Sequence, residues 1–280
     1  DYLPFFQAIG EARVLVAERA GEVLGTLARV RRGLEWRGDA GAPPVGSTAH
    51  YLCDLKLRAA SRGSTLLARL IRETRRDIEA GGNPACYCVV MDGTGRLPTD
   101  YTGRLGVPRF EKLGEIVILR LSPGGGPVAP VGTCLVTKPE LHEIQRSIRR
   151  PGFVATGGDS ARRSRIGPLP LATPDRLAAG LLEDTRRGKR LFTDGGVELV
   201  SAHLSGFTYA TPRAAAALLT GAVARAGAIG IPAVFAAIPR REWSGLLPWL
   251  GKLAVAPAPA TIFGHGLEAG GDWWIDTAEI

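Results

Sequence analysis

The 280-residue sequence is poor in the residues that carry most familiar site chemistries, with four histidines and four cysteines. His50, His142, His203 and His265 share no ligand spacing with one another or with the cysteines, which argues against a metal centre. Four cysteines in a chain of this size do not make a disulfide framework. Cys53, Cys86 and Cys88 fall in strand-like runs and read as small core residues, so a reducing compartment, the cytoplasm, is expected. No apolar run approaches the roughly 18 to 20 residues that a membrane helix needs. The most apolar stretch, 214–237, is broken by Arg225, several glycines and Pro232, and reads as a buried helix followed by a buried strand. The chain opens on Asp1, and residues 2–9 lack the basic n-region and small-residue cleavage site of a secretory signal. There is no P-loop, no G-x-S-x-G elbow and no dinucleotide-binding fingerprint.

Positive charge is present in excess. The formal net charge is +8, and 30 of the 35 basic residues are arginine. An anionic partner fits that sign, whether nucleic acid, membrane surface or a phosphorylated cofactor. The arginines come in small scattered groups, and aromatics are only 6% and do not interleave with them. A stacking surface for single-stranded nucleic acid is therefore not expected. The 45% hydrophobic content is that of a globular protein with a real core.

Periodicity organises the first half. Residues 13–18 (RVLVAE) and 23–30 (VLGTLARV) flank a short turn and read as a hairpin. A polar connection over 38–46 leads to a strand at 49–57 (AHYLCDLKL). Residues 65–79 place Leu66, Leu67, Leu70, Ile71, Thr74 and Ile78 at helical spacing, and Gly81-Gly82 ends that helix. Residues 85–91 (ACYCVVM) then form a continuous apolar run of buried-strand length. Strand, turn, helix, glycine stop and buried strand make a βαβ crossover. Residues 122–130 (SPGGGPVAP) have the composition of a linker.

The second half repeats the unit. Shifted by 148, residues 52–90 fall on 200–238 without a gap, setting Leu70-Ile71 on Leu218-Leu219, Gly82 on Gly230 and Pro84-Ala85 on Pro232-Ala233. Further on, Pro108, Lys112 and Leu113 meet Pro248, Lys252 and Leu253 if the connection is eight residues shorter. Residues 189–193 and 197–204 read as a second hairpin, and 272–276 as a final strand. Two helices are expected between the halves: 139–149, and 173–187, which opens on Thr-Pro-Asp as a helix cap does. Residues 157–167 read as a basic, glycine-rich loop. The expected class is α/β in the α+β sense. Each half would be a mixed, mostly antiparallel twisted sheet flanked by helices, with bounds 1–121 and 135–280 around a linker at 122–134.

The stretch from Asp54 to Leu67 (DLKLRAASRGSTLL) carries the chemistry. It resembles the acetyl-CoA-binding segment of the GNAT superfamily of N-acyltransferases, a strand and short connection followed by Arg/Gln-x-x-Gly-x-Gly/Ala at a helix start. Unpaired N–H groups and the helix dipole favour a pyrophosphate at such an end. Arg62 takes the first motif position, Gly63 and Ser64 follow, Thr65 stands at the first motif glycine, and Leu67 replaces the final Gly/Ala. Residues 108–114 (PRFEKLG) resemble the family's Tyr-Glu-Lys-Leu-Gly-Phe, with Phe110 in place of the tyrosine that commonly protonates the departing thiolate. Together these resemblances cover about residues 11–121.

That resemblance implies an acyl-CoA, acetyl-CoA or a relative, against Leu55, Leu57, Arg62, Gly63, Ser64, Thr65, Leu66 and Leu67. It implies an amine acceptor, small molecule or peptide, attacking the thioester directly. Asp54 is the candidate base and Tyr101 the nearest substitute for the missing proton donor. In the second half, Ala210-Thr211-Pro212-Arg213 stands against Arg62 to Thr65, so that half is expected to keep the fold without the cofactor and to wall the acceptor cleft, with His203 and Glu198 as cleft candidates. A plain reading of the same residues stands beside this one: Ser64 as a helix cap, Asp54 paired with Lys56, and the chain as an inactive tandem scaffold. A nucleic-acid binder would instead show steep salt dependence and no CoA effect.

Overall fold

The computed structural model describes residues 2–38, 44–101, 106–125, 132–148, 150–156, 164–193, 195–251 and 253–280. A short helix α1 (Tyr2–Gln7) precedes the hairpin β1 (Glu11–Arg19) and β2 (Glu22–Arg37). The expected crossover follows as β3 (Val45–Leu57), α2 (Leu66–Ala80) and β4 (Cys86–Met91). α2 turns Ala68, Leu70, Thr74 and Ile78 inward, and ends where Gly82 takes φ +76°, a conformation costly for any residue with a Cβ. Next come β5 (Glu111–Pro123), β6 (Cys134–Leu135), α3 (Lys138–Ser147), β7 (Gly152–Thr156), β8 (Leu169–Ala172) and β9 (Ala178–Glu183). The second crossover is β10 (Ala202–Tyr209), α4 (Pro212–Ala228) and β11 (Val234–Pro239), followed by β12 (Leu253–His265) and β13 (Trp273–Trp274).

These strands join one 13-stranded sheet in the order β13-β7-β2-β3-β4-β12-β5-β11-β10-β9-β8-β6, with β1 paired to β2. The order shows that the halves exchange strands. β12, from the second half, lies between β4 and β5 of the first; β5, from the first, lies between β12 and β11 of the second. Ile116, Leu119 and Leu121 of β5 are fully buried, each worth about 1.5–3 kcal/mol. Both pairings within the crossovers are parallel, and nearly all the others are antiparallel, as the sequence leads one to expect.

The two crossovers share a backbone feature at the helix end. Gly230 ends α4 at φ +76°, the value at Gly82. The shift of 148 holds from helix to following strand, but the preceding strands are offset. His50 pairs with Cys86, whereas Ala202 pairs with Val234, so the first strand-to-helix connection is four residues longer. The extra length is the short 3-10 turn Ala59–Ser61 and its flanks, next to the candidate phosphate loop. The proposed match of Lys112-Leu113 to Lys252-Leu253 does not hold either. Ile116 pairs with Pro239 and Ala260 with Met91, which makes Ile116 and Ala260 equivalent, and Lys252 is outside the described residues.

One expected helix is absent. Residues 173–187 form a turn and the buried strand β9 instead. Thr173 Oγ1 accepts the Ala178 N–H at 3.0 Å, Asp175 accepts the Leu177 N–H at 3.1 Å, and Arg176 adopts φ +60°. Thr-Pro-Asp therefore closes a hairpin between β8 and β9 rather than capping a helix. The second hairpin, 189–193 with 197–204, forms a single bridge, Phe192 to Glu198, before β10 begins. The linker stretch 122–130 starts inside β5, and 126–130 lie outside the described residues. Much of the loop at 157–167 also lies outside them, while Ser164 is buried and accepts the Asp184 N–H at 3.0 Å.

Candidate functional site

β3 and β4 pair only at His50–Tyr51 against Cys86–Tyr87 and then diverge. Just past the divergence β3 carries a bulge. Ala28 pairs with Cys53 and Thr26 with Lys56, so Asp54 and Leu55 together face Leu27. Asp54 takes φ +49°, which costs a non-glycine residue on the order of 1–3 kcal/mol. Its carboxylate is buried beside Lys189 (3.7 Å) and Lys56 (3.3 Å), and its carbonyl accepts from Thr26 Oγ1 (3.3 Å). Burial pushes the Lys189 ammonium below the ordinary lysine range, and Asp54 opposes that shift. Asp54 thus has the plain reading's partner, Lys56, and a second one that the sequence did not suggest.

Beyond the bulge, where the strands have separated, lies a cavity of about 540 Å³. Leu57, Arg62, Gly63, Ser64, Leu67 and Tyr101 line it, together with Ala68, Ile71, Arg96 and Val107. Gly63, at φ +81°, turns the chain into α2. Ser64 Oγ accepts the Leu66 N–H (3.2 Å) and donates to the Ser61 carbonyl (2.7 Å), so it is a cap as well as a lining residue. Among the described residues the N–H groups of Thr65, Leu67 and Ala68 have no backbone or side-chain acceptor. Neither Arg62 nor Arg96 has an ion-pair partner among them. A helix start with unaccepted N–H groups, beside a cavity that two arginines without ion-pair partners line, fits a phosphate group.

Five of the eight expected cofactor residues therefore share one cavity with Tyr101. Leu55, exposed at the bulge, falls outside its lining, as do Thr65, Leu66 and Asp54. Ala68 and Ile71 continue the helical face of Leu67 and were open to a periodicity argument. Arg96 and Val107 sit in the connection after β4 and carry no local signal. Phe110 lies in a buried apolar cluster with Ile78, Cys86, Val107 and Phe263, and is not among the residues that line this cavity.

The second half repeats the divergence, and a cavity of about 350 Å³ lies there, lined by Gly206, Phe207, Thr208 and Ala237 with Gln145 and Asp276. β10 and β11 pair only at Ala202–His203 against Val234–Phe235, and β10 bulges at Gly206, φ +57°. Here the bulge N–H donates to Asp276 Oδ1 at 2.6 Å, and the Gly206 carbonyl accepts from Gln145 Nε2 at 2.8 Å. This helix start offers fewer N–H groups, since Pro212 has none and Thr211 Oγ1 accepts from Ala214 at 3.2 Å, which leaves Arg213 of the first turn without a backbone or side-chain acceptor among the described residues. His203 is buried against Thr277 Oγ1 (3.0 Å) and stacked on Phe235, and Glu198 pairs with Arg190 at 2.5 Å. Neither is among the described residues that line the cavities at the two crossovers. The cysteines are unpaired, and burial pushes the Cys86 and Cys88 thiols up to about 12. Among the described residues no cluster has the makings of a metal site, and no helix is long and apolar enough to cross a membrane.

No family model matches the chain, and no curated protein matches it in sequence. Solved structures do. A GCN5-related N-acetyltransferase from Anabaena variabilis is 14% identical at TM-score 0.52, over 92% of this chain and 64% of that one. Another from Kribbella flavida is 13% identical at 0.51, over 90% and 59%. This chain thus spans less than two thirds of either acetyltransferase. The Saccharomyces cerevisiae N-myristoyltransferase, solved with bound myristoyl-CoA and inhibitors, is 10% identical at 0.60, over 94% and 69%. The chain has the GNAT fold. Within that fold the chain carries two βαβ crossovers, β3-α2-β4 and β10-α4-β11, the second with proline at the first helical position.

Proposed function

We propose that the chain is an N-acyltransferase whose acyl-CoA donor, acetyl-CoA or a relative, binds in the first-half cleft. The observation that carries this is the start of α2, where the Leu67 and Ala68 N–H groups have no acceptor among the described residues, beside a cavity that Arg62 and Arg96 line. The donor's phosphates would meet Gly63, Ser64 and the free N–H groups of α2, and its pantetheine arm would lie along Leu57, Leu67 and Tyr101. The thioester would then reach the bulge, where the Leu55 N–H polarises its carbonyl. Attack by a neutral amine forms the C–N bond, and collapse of the tetrahedral species breaks the C–S bond. The departing thiolate takes a proton from Tyr101, a role that Phe110 has no group to fill, and the proton lost by the attacking amine passes through water to restore the Tyr101 hydroxyl. Asp54, neutralised by Lys189 and Lys56, is assigned to holding the bulge rather than to taking the amine proton. The acceptor is a small-molecule or peptide amine, and four unpaired cysteines suit the reducing cytoplasm.

The burial of Phe110 favours a second reading, in which the cleft binds CoA and transfers nothing. Thermal shift with CoA and acetyl-CoA, followed by thiol release against an amine panel, decides. A raised melting temperature with turnover supports the transferase; a shift without turnover supports the binding protein. No shift at millimolar ligand would remove both.

A further inference from the structure

A second cavity, of about 320 Å³, lies under the C-terminal half of α2, and it shares Ile71 and Val107 with the first. Leu52, Ile78, Cys86 and Phe110 make its wall. Meeting at those two residues, their linings trace a path along α2 from Ser64 to Ile78, a run of about 21 Å at 1.5 Å per residue. Its two ends differ in chemistry. At the start stand Arg62 and Arg96, cations without ion-pair partners among the described residues. At the far end the charges are already matched: Arg75 pairs with Glu79 at 2.6 Å and Arg109 with Glu111 at 3.3 Å. The wall between them is apolar. Such a path suits a molecule with an anionic head and an apolar tail, and not one with charge at both ends.

The bulge that would hold the thioester lies between the two cavities in strand register. Leu57 of the first cavity is three residues past Asp54, and Leu52 of the second is two residues before it. We infer that the second cavity receives the acyl chain, so that the preferred donor carries a chain well beyond two carbons. This rests on the first-half cleft being an acyl-CoA site. An acetyl group would end near the bulge and leave the walls of Leu52, Ile78 and Phe110 without a ligand to cover, whereas each added methylene buried there strengthens binding by about fourfold.

The test is a calorimetric series on the intact protein with CoA, acetyl-CoA, hexanoyl-CoA and decanoyl-CoA. Affinity is expected to rise at least tenfold from acetyl to hexanoyl. Thr74→Phe, which fills the second cavity, should erase that gain while free CoA binds as before. Should that variant fail to fold, decanoyl-CoA with a terminal diazirine replaces it, with photolabelling expected on the peptides holding Ile78, Cys86 or Phe110. Equal affinities across the series, with CoA itself bound, would overturn the acyl-chain assignment and leave the cleft standing, as would labelling elsewhere. Binding of none of the four would overturn the cleft assignment and this one with it.

Discussion

Ile116 and Ala260 pair with each other at the approximate twofold axis of the sheet, both fully buried. Ile116 pairs on its other side with Pro239 of the second half, and Ala260 with Met91 of the first. Each half therefore owns one of the two central strands and lends it to the other. Residues 1–125 made alone should leave β4 paired on one side only, with β3, and β5 unpaired on both sides, with its apolar face exposed. Separate production of 1–125 and 126–280 is expected to give two aggregating or unfolded fragments, and co-production to give one soluble complex with a single thermal transition. A well-dispersed NMR spectrum from 1–125 alone would count against this.

Arg62 and Arg96 are expected to bind the donor's phosphates as charge-assisted partners, each worth about 1.5–3 kcal/mol. Arg62→Ala and Arg96→Ala should each weaken CoA binding roughly tenfold or more. Each should also flatten its dependence on salt, with little change in melting temperature, because both side chains are exposed. Titration calorimetry at two salt concentrations reads both effects. Unchanged affinity in both variants would place the phosphates elsewhere.

The sequence carried the local elements well, since the hairpin β1–β2, the helix α2 and the buried strand β4 each have a strong period of their own. It misled at 173–187. Leu177, Leu181 and Leu182 fit a helical face, yet the six residues Ala178–Glu183 are buried all round as an interior strand is. The strand exchange left no mark, because which strand lies beside β5 is decided by pairing across more than a hundred residues. The same limit applies to the site. Arg62 to Leu67 were legible as a helix start with a glycine turn, while Arg96 and Tyr101 reach the cavity through a connection whose path no short-range rule fixes.

Asp54 and Lys189 make a claim about the bulge that can be separated from catalysis. Asp54→Ala keeps the strained φ and loses the ion pairs, whereas Asp54→Gly loses the pairs and relieves the strain. The glycine variant should be the more stable of the two by about 1 kcal/mol, measured by urea unfolding. With Asp54 holding the bulge and no more, the pH dependence of kcat/KM in Asp54→Gly should keep its acidic limb. Loss of that limb would return Asp54 to the role of base.

His50 provides a pH test of how α2 is fastened to the sheet. Its ring is buried, and Nδ1 lies 3.0 Å from Arg29 Nη1, so the nitrogen must accept and the ring must be neutral. Arg29 in turn pairs with Asp77 of α2 at 2.5 Å. Burial first, and the Arg29 and Arg31 charges after it, push the His50 pKa down to about 4 from an ordinary 6.5. Above pH 6.5 neither the folded nor the unfolded chain protonates this ring, and it has no effect on stability. Between 6.5 and 4 the unfolded chain takes up a proton that the folded one refuses, so stability falls with falling pH, by up to about 3 kcal/mol. His50→Gln, which keeps an acceptor for Arg29 and cannot titrate, should lose less stability than the parent between pH 7 and pH 4.5. Denaturant unfolding at the two pH values gives the difference directly, and identical losses would mean that His50 protonates as readily in the folded chain as in the unfolded one.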